Sequence, residues 1–357
     1  MSTPEDAPAQ KHQAEKHSHV VARAYLRAWA DDRNVTCVHP VQPPPDAPAD
    51  AAPQAKEKSV ADIAVRELFL AWERPDGETF HDVDWALDQG ENTIAPVLRR
   101  IRELWPLSPE NKAAVAELLA LQVVRGPREF ARLDAIVEAE LEVFAQFTDH
   151  PPGDGVIDGR LTQTALQQLR EDMTGSTHRM TRMLKHARMG TSIVGSMHWS
   201  LVEFDEPILA TSDHPVHLWP LAQRSLRPQA TATPGFRETL EVKWPLGPSL
   251  ALLATWQDIG DNPEPLRGSA PLAASLNTCA IAQAEEQWLH RPNTSPPRRQ
   301  PTELLNPWSR YLFTAYNARA AGRSARRHQV AELLKPLLGS KTPESAAAIA
   351  YIPPRHS

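Results

Sequence analysis

The spacing of the apolar residues changes near Gly190, and this change constrains the fold more than any other feature of the 357-residue chain. From Ser59 to about Phe147 the apolar residues recur with a helical period. After Gly190, short runs rich in Val, Ile, Leu and Trp are separated by turn residues. Helices and strands that occupy separate stretches of a chain are typical of α+β proteins. We therefore expect an α+β fold that is mainly helical, with a small antiparallel central sheet.

Local signals place the individual elements. The predicted helices are His19 to Ala30, Ala61 to Trp72, Asp84 to Leu104, Pro109 to Phe147, Leu161 to His186, Ala273 to Leu289 and Trp308 to Leu338. The predicted strands are Val35 to His39, Gly195 to Glu203, Pro207 to Thr211, Val216 to Trp219, Leu240 to Trp244 and Ser249 to Ala254. Ser108 before Pro109 is a good helix start, because serine caps free amide groups and proline suits the first turn. Gly126-Pro127 should end or kink that helix and restart it at Pro127.

The composition predicts one folded body between two tails. Residues 1–16 lack apolar periodicity and are predicted to be a disordered N-terminal tail. Residues 17–340 form a single predicted α+β domain with a proline-rich excursion at 40–58, and residues 341–357 form a C-terminal tail. The chain has 34 prolines and only 15 glycines, which favours stiff, extended loops.

Charge and cysteine content restrict the partners and the compartment. A net charge of −6 provides no general field that attracts nucleic acid or an anionic membrane, although a local basic groove is compatible with it. The two cysteines, Cys37 and Cys279, lie far apart and no signal-peptide pattern precedes them, so we expect no disulfide and a cytoplasmic location. No apolar run approaches the roughly 18 to 20 residues that span a bilayer, so we expect no membrane contact.

Motifs for nucleotide cofactors are missing from the sequence. It has no Walker-type phosphate loop, glycine-rich dinucleotide fingerprint, nucleophile elbow or Cys-x-x-Cys pair. We therefore expect the protein to work without a cofactor.

The segment Thr211 to Val216 places polar groups inside what is otherwise an apolar stretch. Thr211, Ser212 and Asp213 supply two hydroxyls and a carboxylate, followed by the imidazoles of His214 and His217. Buried polar groups are hydrogen-bonded or functional, so the segment is either a turn held by Ser212 and Asp213 or part of a site. Zinc is a weak alternative, because Pro215 prevents a helical presentation of the two histidines, and no metal is predicted here.

A second polar group interrupts the apolar stripe of the helix that starts at Pro109. The face that carries Val115 and Leu118 continues with Gln122 and Arg125, and Arg128 follows just beyond the kink. Two guanidinium groups can bind a carboxylate or phosphate bidentately. The alternative is structural, with Arg125 paired to an internal acid and Gln122 capping a loop.

Two further titratable residues lie on predicted helices, His19 at the opening of the first helix and Glu91 at the start of a helix turn before Ile94. His19 can act as a general acid or base because its unperturbed pKa is roughly 6.5, or it can be a hydrogen-bonded core residue. Glu91 can join the same site, or it can be an exposed acid favoured by the helix dipole.

These positions together resemble the domain-of-unknown-function family 4238 over about His19 to Leu289. The segment from His19 to Leu26 resembles the family's His-x-Val-Pro-Arg-x-Tyr-Leu, with Ala22 where proline is usual and Trp29 where phenylalanine is usual. The other matching positions are Glu91 at a helix start, Gln122-x-x-Arg125-x-x-Arg128, Thr211 to Val216 against Thr-Ser-Asp-Asn-Pro-Val, and Trp244-Pro245-Leu246. The resemblance implies no established activity, but it implies that six residues meet in space: His19, Glu91, Gln122, Arg125, Arg128 and Asp213. His214 replaces the family's usual Asn, which argues against a metal site that depends on His214.

Three functions are compatible with this pattern. The first is an uncharacterised hydrolase or transferase that acts on an anionic, phosphate-bearing substrate, nucleic acid being one such substrate. Its catalytic residues would be His19, Glu91 and Asp213, and its substrate-binding residues Gln122, Arg125, Arg128, Thr211 and Ser212. The second is a protein that binds or senses a small anion, a peptide or a partner protein without catalysis. The third is a buried polar network that joins the sheet to the helices.

Overall fold

The computed structural model describes residues 17–42, 54–67, 72–73, 79–80, 82–145, 156–157, 160–220, 235–256, 263–295 and 297–300. Both predicted tails, the predicted helix Trp308 to Leu338 and residues 43–53 of the proline-rich excursion lie outside these residues. Among the described helices, none is both long and apolar enough to cross a membrane.

The described residues form both helices and strands. The helices are α1 (Arg23–Leu26), α2 (Asp82–Arg99), α3 (Pro109–Val124), α4 (Pro127–Ala145), α5 (Gln163–Thr174), α6 (Ser176–Gly195) and α7 (Ala270–Gln283). The strands of the first half are β1 (His17–His19), β2 (Val35–Pro40), β3 (Lys56–Ser59), β4 (Val65–Glu67), β5 (Trp72–Glu73), β6 (Thr79–Phe80), β7 (Val156–Ile157) and β8 (Arg160–Leu161). The later strands are β9 (His198–Glu203), β10 (Thr211–Ser212), β11 (His217–Pro220), β12 (Thr239–Gly247), β13 (Leu250–Thr255), β14 (Leu266–Arg267) and β15 (Gln287–His290).

The α+β class is confirmed, but the prediction of a single small central sheet is wrong. A five-stranded sheet has the order β11-β12-β13-β9-β14, and its strands are antiparallel except for the β9–β14 pair. A four-stranded antiparallel sheet has the order β10-β15-β2-β3. Two-stranded pairs form between β1 and β4, β5 and β6, and β7 and β8. The second large sheet joins strands from both ends of the chain, which the local spacing of apolar residues does not reveal.

The helix α3 lies at the centre of the core and begins and ends as its sequence indicates. The Ser108 hydroxyl accepts a hydrogen bond from the Asn111 amide at 3.2 Å, and α4 restarts at Pro127. Its buried residues cover most of its circumference from Val115 onward, with Glu117 exposed, and α3 contacts α2, α4 and α6. One apolar cluster includes α3 and extends from Val20 to Leu289, which places both ends of the described chain in the same core.

Strand pairing with distant segments overturns two predicted helices near the N-terminus. His19 belongs to β1, so the helix predicted from His19 begins only at Arg23. Residues 61–67 of the predicted helix Ala61 to Trp72 instead belong to a short 3-10 turn and β4, with Ala64 at a φ of 52° between them. Ala64 accepts a hydrogen bond from the Val20 amide at 2.9 Å where β1 meets β4. This tertiary pairing overrides a weak helical preference.

Three later predictions also need correction. The helix predicted to run to Leu289 ends at Gln283, because the chain then turns into β15. The strand predicted from Pro207 is irregular up to β10, and the Asn277 side chain accepts a hydrogen bond from the Ala210 amide at 2.8 Å. The helix predicted from Leu161 to His186 is divided at Gly175, whose ψ of 150° is extended, and α6 continues to Gly195.

Candidate functional site

Arg125 lies at the C-terminal end of α3 and is almost fully enclosed, with a side-chain exposure of 2%. Its guanidinium pairs with the carboxylate of Glu91 from α2 and donates through Nε to the Val20 carbonyl at 3.0 Å. When its amide oxygen faces them, Gln122 accepts from the Ala22 amide at 3.1 Å and from the Arg125 guanidinium at 2.7 Å. This is the buried ion pair that the sequence left open as an alternative.

Tyr25 connects the N-terminal segment to both large sheets. Its hydroxyl lies 2.6 Å from Thr211 Oγ1 and donates to the Pro245 carbonyl at 2.6 Å. Because the phenol has one proton and uses it on Pro245, the Thr211 hydroxyl is the donor in the other bond. Burial raises the pKa of Tyr25, so the side chain is a neutral structural link near pH 7.

The polar segment after β10 is a tightly hydrogen-bonded turn. Ser212 Oγ accepts from the His214 amide at 3.1 Å and donates to the His214 carbonyl at 2.9 Å. Asp213 accepts from the backbone amides of Glu285, Glu286 and Gln287, at 2.9, 2.7 and 3.1 Å. Burial raises the pKa of Asp213 above its ordinary value, while these amide donors and His214 oppose that change. The carboxylate therefore anchors the turn between α7 and β15.

A small cleft lies outside this turn. Its wall includes Val20, Ala64, Arg66, Pro127, Asp213 and Glu285, and it encloses about 220 Å³, including space open to solvent. The part of this space that the centre of a water-sized sphere can occupy is only about 10 Å³, which is about the room of one water molecule. The cleft therefore suits a single small group. Val20 connects it to the buried network, because the Val20 carbonyl also accepts from Arg125.

Two arginines and a histidine surround one carboxylate of this cleft. Glu285 lies 3.6 Å from Nε of Arg128, 3.7 Å from a terminal nitrogen of Arg66, and 3.2 Å from Nε2 of His214. The His214 contact is close enough for an ion pair but is not aligned as a hydrogen bond. Burial raises the pKa of Glu285, but His214, Arg128 and Arg66 together hold it below its ordinary value. Glu285 is therefore ionised near pH 7.

Gly126 is required by the close approach of the His214 ring. A Cβ atom added at this position would lie 2.6 Å from Cε1 of His214, which is shorter than real contacts of this kind. The kink between α3 and α4 therefore makes room for His214 as well as ending the helix.

The structure does not bring all of the predicted site residues together. Glu91, Gln122 and Arg125 form the buried network, and Thr211 and Ser212 hold Tyr25 and the turn. Asp213 lines the cleft, and Arg128 contacts the cleft residue Glu285. His19 is half-buried opposite Val65, next to the cleft residue Val20. The described contacts show where these residues lie, and their catalytic roles stay predictions.

Sequence analysis missed the cleft residues Arg66, Glu285 and Glu286. Arg66 donates to Glu286 at 2.6 Å, and both acids lie in the turn before β15. The only sequence signal was the acidic pair Glu285-Glu286 inside a predicted helix, and an exposed helical face explains such a pair equally well.

His217 gives the protein a predicted sensitivity to acid. Burial lowers the pKa of His217 to about 3, and only Gln283, at 2.9 Å from Nδ1, favours the protonated form among the contributing groups. Between about pH 3 and 6.5 the unfolded chain binds a proton that the folded protein does not, so stability falls as the pH falls through this range. Over pH 6.5 to 5 the loss through His217 is expected to be about 1.5 to 2 kcal/mol.

Urea unfolding at pH 6.5 and 5 measures this effect. His217→Gln should reduce the difference between the two pH values, because glutamine does not titrate. His198→Gln changes an exposed histidine and is the matched control. An equal pH difference in wild type and His217→Gln would show that His217 is not the responsible group.

Comparison with known proteins identifies a family for this chain but indicates no activity. A family model described as "Protein of unknown function (DUF4238)" matches residues 17–294. No curated protein and no solved structure matches the chain.

Proposed function

Because the chain belongs to a family of proteins of unknown function, we propose a function from the geometry of the cleft. The cleft binds a small anionic group, such as a phosphate or a carboxylate. The observation that carries this proposal is the position of Glu285 between His214, Arg128 and Arg66. A carboxylate of the protein occupies the place that a carboxylate or phosphate of a ligand would take.

The distances indicate that Glu285 can be displaced. Charge-assisted hydrogen bonds between arginine and carboxylate are about 2.7 to 2.9 Å long, whereas the two arginine contacts of Glu285 measure 3.6 and 3.7 Å. A ligand with two or three oxygens that displaces Glu285 can reach both guanidinium groups at hydrogen-bond length, while Arg66 keeps its bond to Glu286 at 2.6 Å. Each of the two arginine side chains is one-third exposed, so both can be reached from solvent.

Hydrolysis or group transfer at a phosphate ester is the catalytic form of this proposal. His214 supports it, because an imidazole beside a carboxylate can accept a proton from an attacking water. His19 is the second candidate for this role because it lies next to Val20. The binding protein without catalysis is the alternative, and the same cleft supports both.

Phosphate binding by purified full-length protein tests the anion proposal. We expect saturable binding of inorganic phosphate in calorimetric titrations at constant ionic strength. Arg128→Ala should weaken binding by about tenfold or more, because it removes one of the two guanidinium groups. Glu285→Gln should tighten binding several-fold, because it removes the competing charge.

Arg100→Ala is the matched control. Arg100 is an exposed arginine that directly follows α2, and it pairs with Glu103. This variant should bind phosphate as the wild type does. The proposal fails if Arg128→Ala binds phosphate like wild type, or if Glu285→Gln binds it more weakly. Hydrolysis of a phosphate monoester and a phosphate diester, assayed for wild type, His214→Asn and His19→Asn, separates the catalytic form from simple binding.

A further inference from the structure

Three metal-ligating side chains meet on the four-stranded sheet, away from the turn that Asp213 anchors. They are Cys37 and His39 of β2 and His290 of β15, and one ligand atom from each lies within 4.8 Å of the others. We propose that these three residues form a zinc-binding site. It uses none of the residues that line the cleft, so it does not rest on the anion-binding proposal.

Strand geometry explains why these residues meet. Successive side chains of a strand point to opposite faces of the sheet, and Thr36 and Val38 are buried while Cys37 and His39 are half-buried. The β2–β15 register places His290 directly opposite Cys37. Directly opposed residues share one face, with their Cβ atoms roughly 4.5 to 5.5 Å apart. The three ligands therefore lie on the same face.

The observed spacing is close to that of a metal site. A tetrahedral zinc ion with Zn–S near 2.3 Å and Zn–N near 2.0 Å places its sulfur and nitrogen ligands about 3.5 Å apart. Cys37 Sγ lies 3.8 Å from Nε2 of His39. Small side-chain rotations are therefore enough to bring all three ligands onto one ion, without a change of the backbone.

Neighbouring groups already orient both histidines. Nδ1 of His290 lies 2.9 Å from the Arg291 carbonyl and 3.1 Å from Thr294 Oγ1. A carbonyl only accepts, so Nδ1 carries the proton and Nε2 keeps the lone pair that a metal needs. Histidine ligands of metal ions commonly donate their other nitrogen to such a carbonyl. The His39 ring stacks on Trp288 at 3.7 Å with an interplanar angle of 6°, which restricts its rotation.

The fourth position can be filled from β3 or by water. Glu57 lies opposite Cys37 on the side away from β15, and its half-exposed carboxylate contacts Arg33 at 3.1 Å. A rotation of Glu57 toward Cys37 would complete a closed site, whereas water in this position would leave an open site. Three protein ligands with a bound water are typical of catalytic zinc, which lowers the pKa of that water to about 7.

Cobalt substitution of the full-length protein tests the site. After treatment with a chelator, the protein is titrated with cobalt(II) chloride under reducing conditions. We expect one tetrahedral cobalt with a thiolate-to-cobalt charge-transfer band, which added zinc chloride abolishes. Cys37→Ser should remove this band and weaken zinc binding by about 100-fold or more. Cys279→Ala removes the other cysteine and should leave both unchanged.

Histidine variants complete the design. His39→Gln and His290→Asn should each weaken zinc binding by at least about tenfold, whereas His198→Gln, at an exposed position of β9, should not change it. Circular dichroism in the presence of chelator shows whether each variant is folded. Absence of the thiolate band in the folded wild type overturns the proposal, and so does its survival in Cys37→Ser. If copper(II) is bound and zinc is not, the assignment to zinc is also wrong.

Discussion

Replacing Arg125 by methionine is expected to lower the free energy of unfolding by about 3 to 5 kcal/mol. Methionine fills much of the volume of the arginine side chain but leaves the Glu91 carboxylate buried without its cation. Removing one partner of a buried ion pair costs about this much, because the remaining buried charge loses the cation that offsets its desolvation. The Val20 carbonyl and the Gln122 amide would also lose a donor. Urea unfolding followed by circular dichroism measures the change.

A double variant and an exposed pair provide the controls. Glu91→Leu combined with Arg125→Met removes both charges, so it should be more stable than Arg125→Met alone by at least about 1 kcal/mol. Arg170→Met breaks the exposed pair with Glu138 and should cost less than about 1 kcal/mol. If Arg125→Met unfolds at the same urea concentration as wild type, Arg125 does not hold the helices to the N-terminal segment.

Asp213→Ala is expected to lower the free energy of unfolding by about 3 to 5 kcal/mol as well. The substitution leaves the amides of Glu285, Glu286 and Gln287 without their acceptor, and an unsatisfied buried donor costs about 1 to 3 kcal/mol. Water that enters the space of the carboxylate would offset part of this loss, since the cleft adjoins it. The effect is measured by urea unfolding and by hydrogen exchange of the three amides.

Asp213→Asn removes the charge of the side chain but keeps one oxygen that accepts hydrogen bonds. Its amide oxygen can accept from one or two of the three donors, and burial already disfavours the charge of Asp213. We therefore expect Asn to cost less than half as much as Ala. Asp205→Ala changes an exposed acid that pairs with Arg267, and it should have little effect. A stability change equally small for Asp213→Ala and Asp205→Ala would contradict an anchoring role for Asp213.

These two expected effects determine how function should be tested. A loss of activity in Arg125 or Asp213 variants would be ambiguous, because both residues support the fold through buried contacts. Arg128 and Glu285 are more suitable targets, since both are partly exposed, Glu285 lines the cleft and Arg128 contacts Glu285. Comparison of their ligand affinity with their unfolding free energy shows which effect each substitution has.

Local chemistry determined several features that the sequence predicted correctly. The Ser108 cap and the Gly126-Pro127 break are decided by hydrogen bonds and dihedral angles within a few residues, so both could be found from the sequence. The polar interruption of the α3 stripe at Gln122 and Arg125 likewise showed that the helix meets polar groups. It left open whether Arg125 pairs with an acid or binds a ligand, because the sequence does not specify which side chain reaches it.

Only the tertiary structure decided which distant residues meet. The pairing of β2 with β15 brings Cys37 opposite His290, and the turn anchored by Asp213 brings Glu285 to Arg128. The same pairing turned part of a predicted helix into β15. Helix caps and turns depend on neighbours along the chain, whereas strand register depends on which faces the whole core buries. For that reason the sequence determined the α+β class and the limits of α3, while the two large sheets, the cleft and the Cys37–His39–His290 cluster depend on long-range packing.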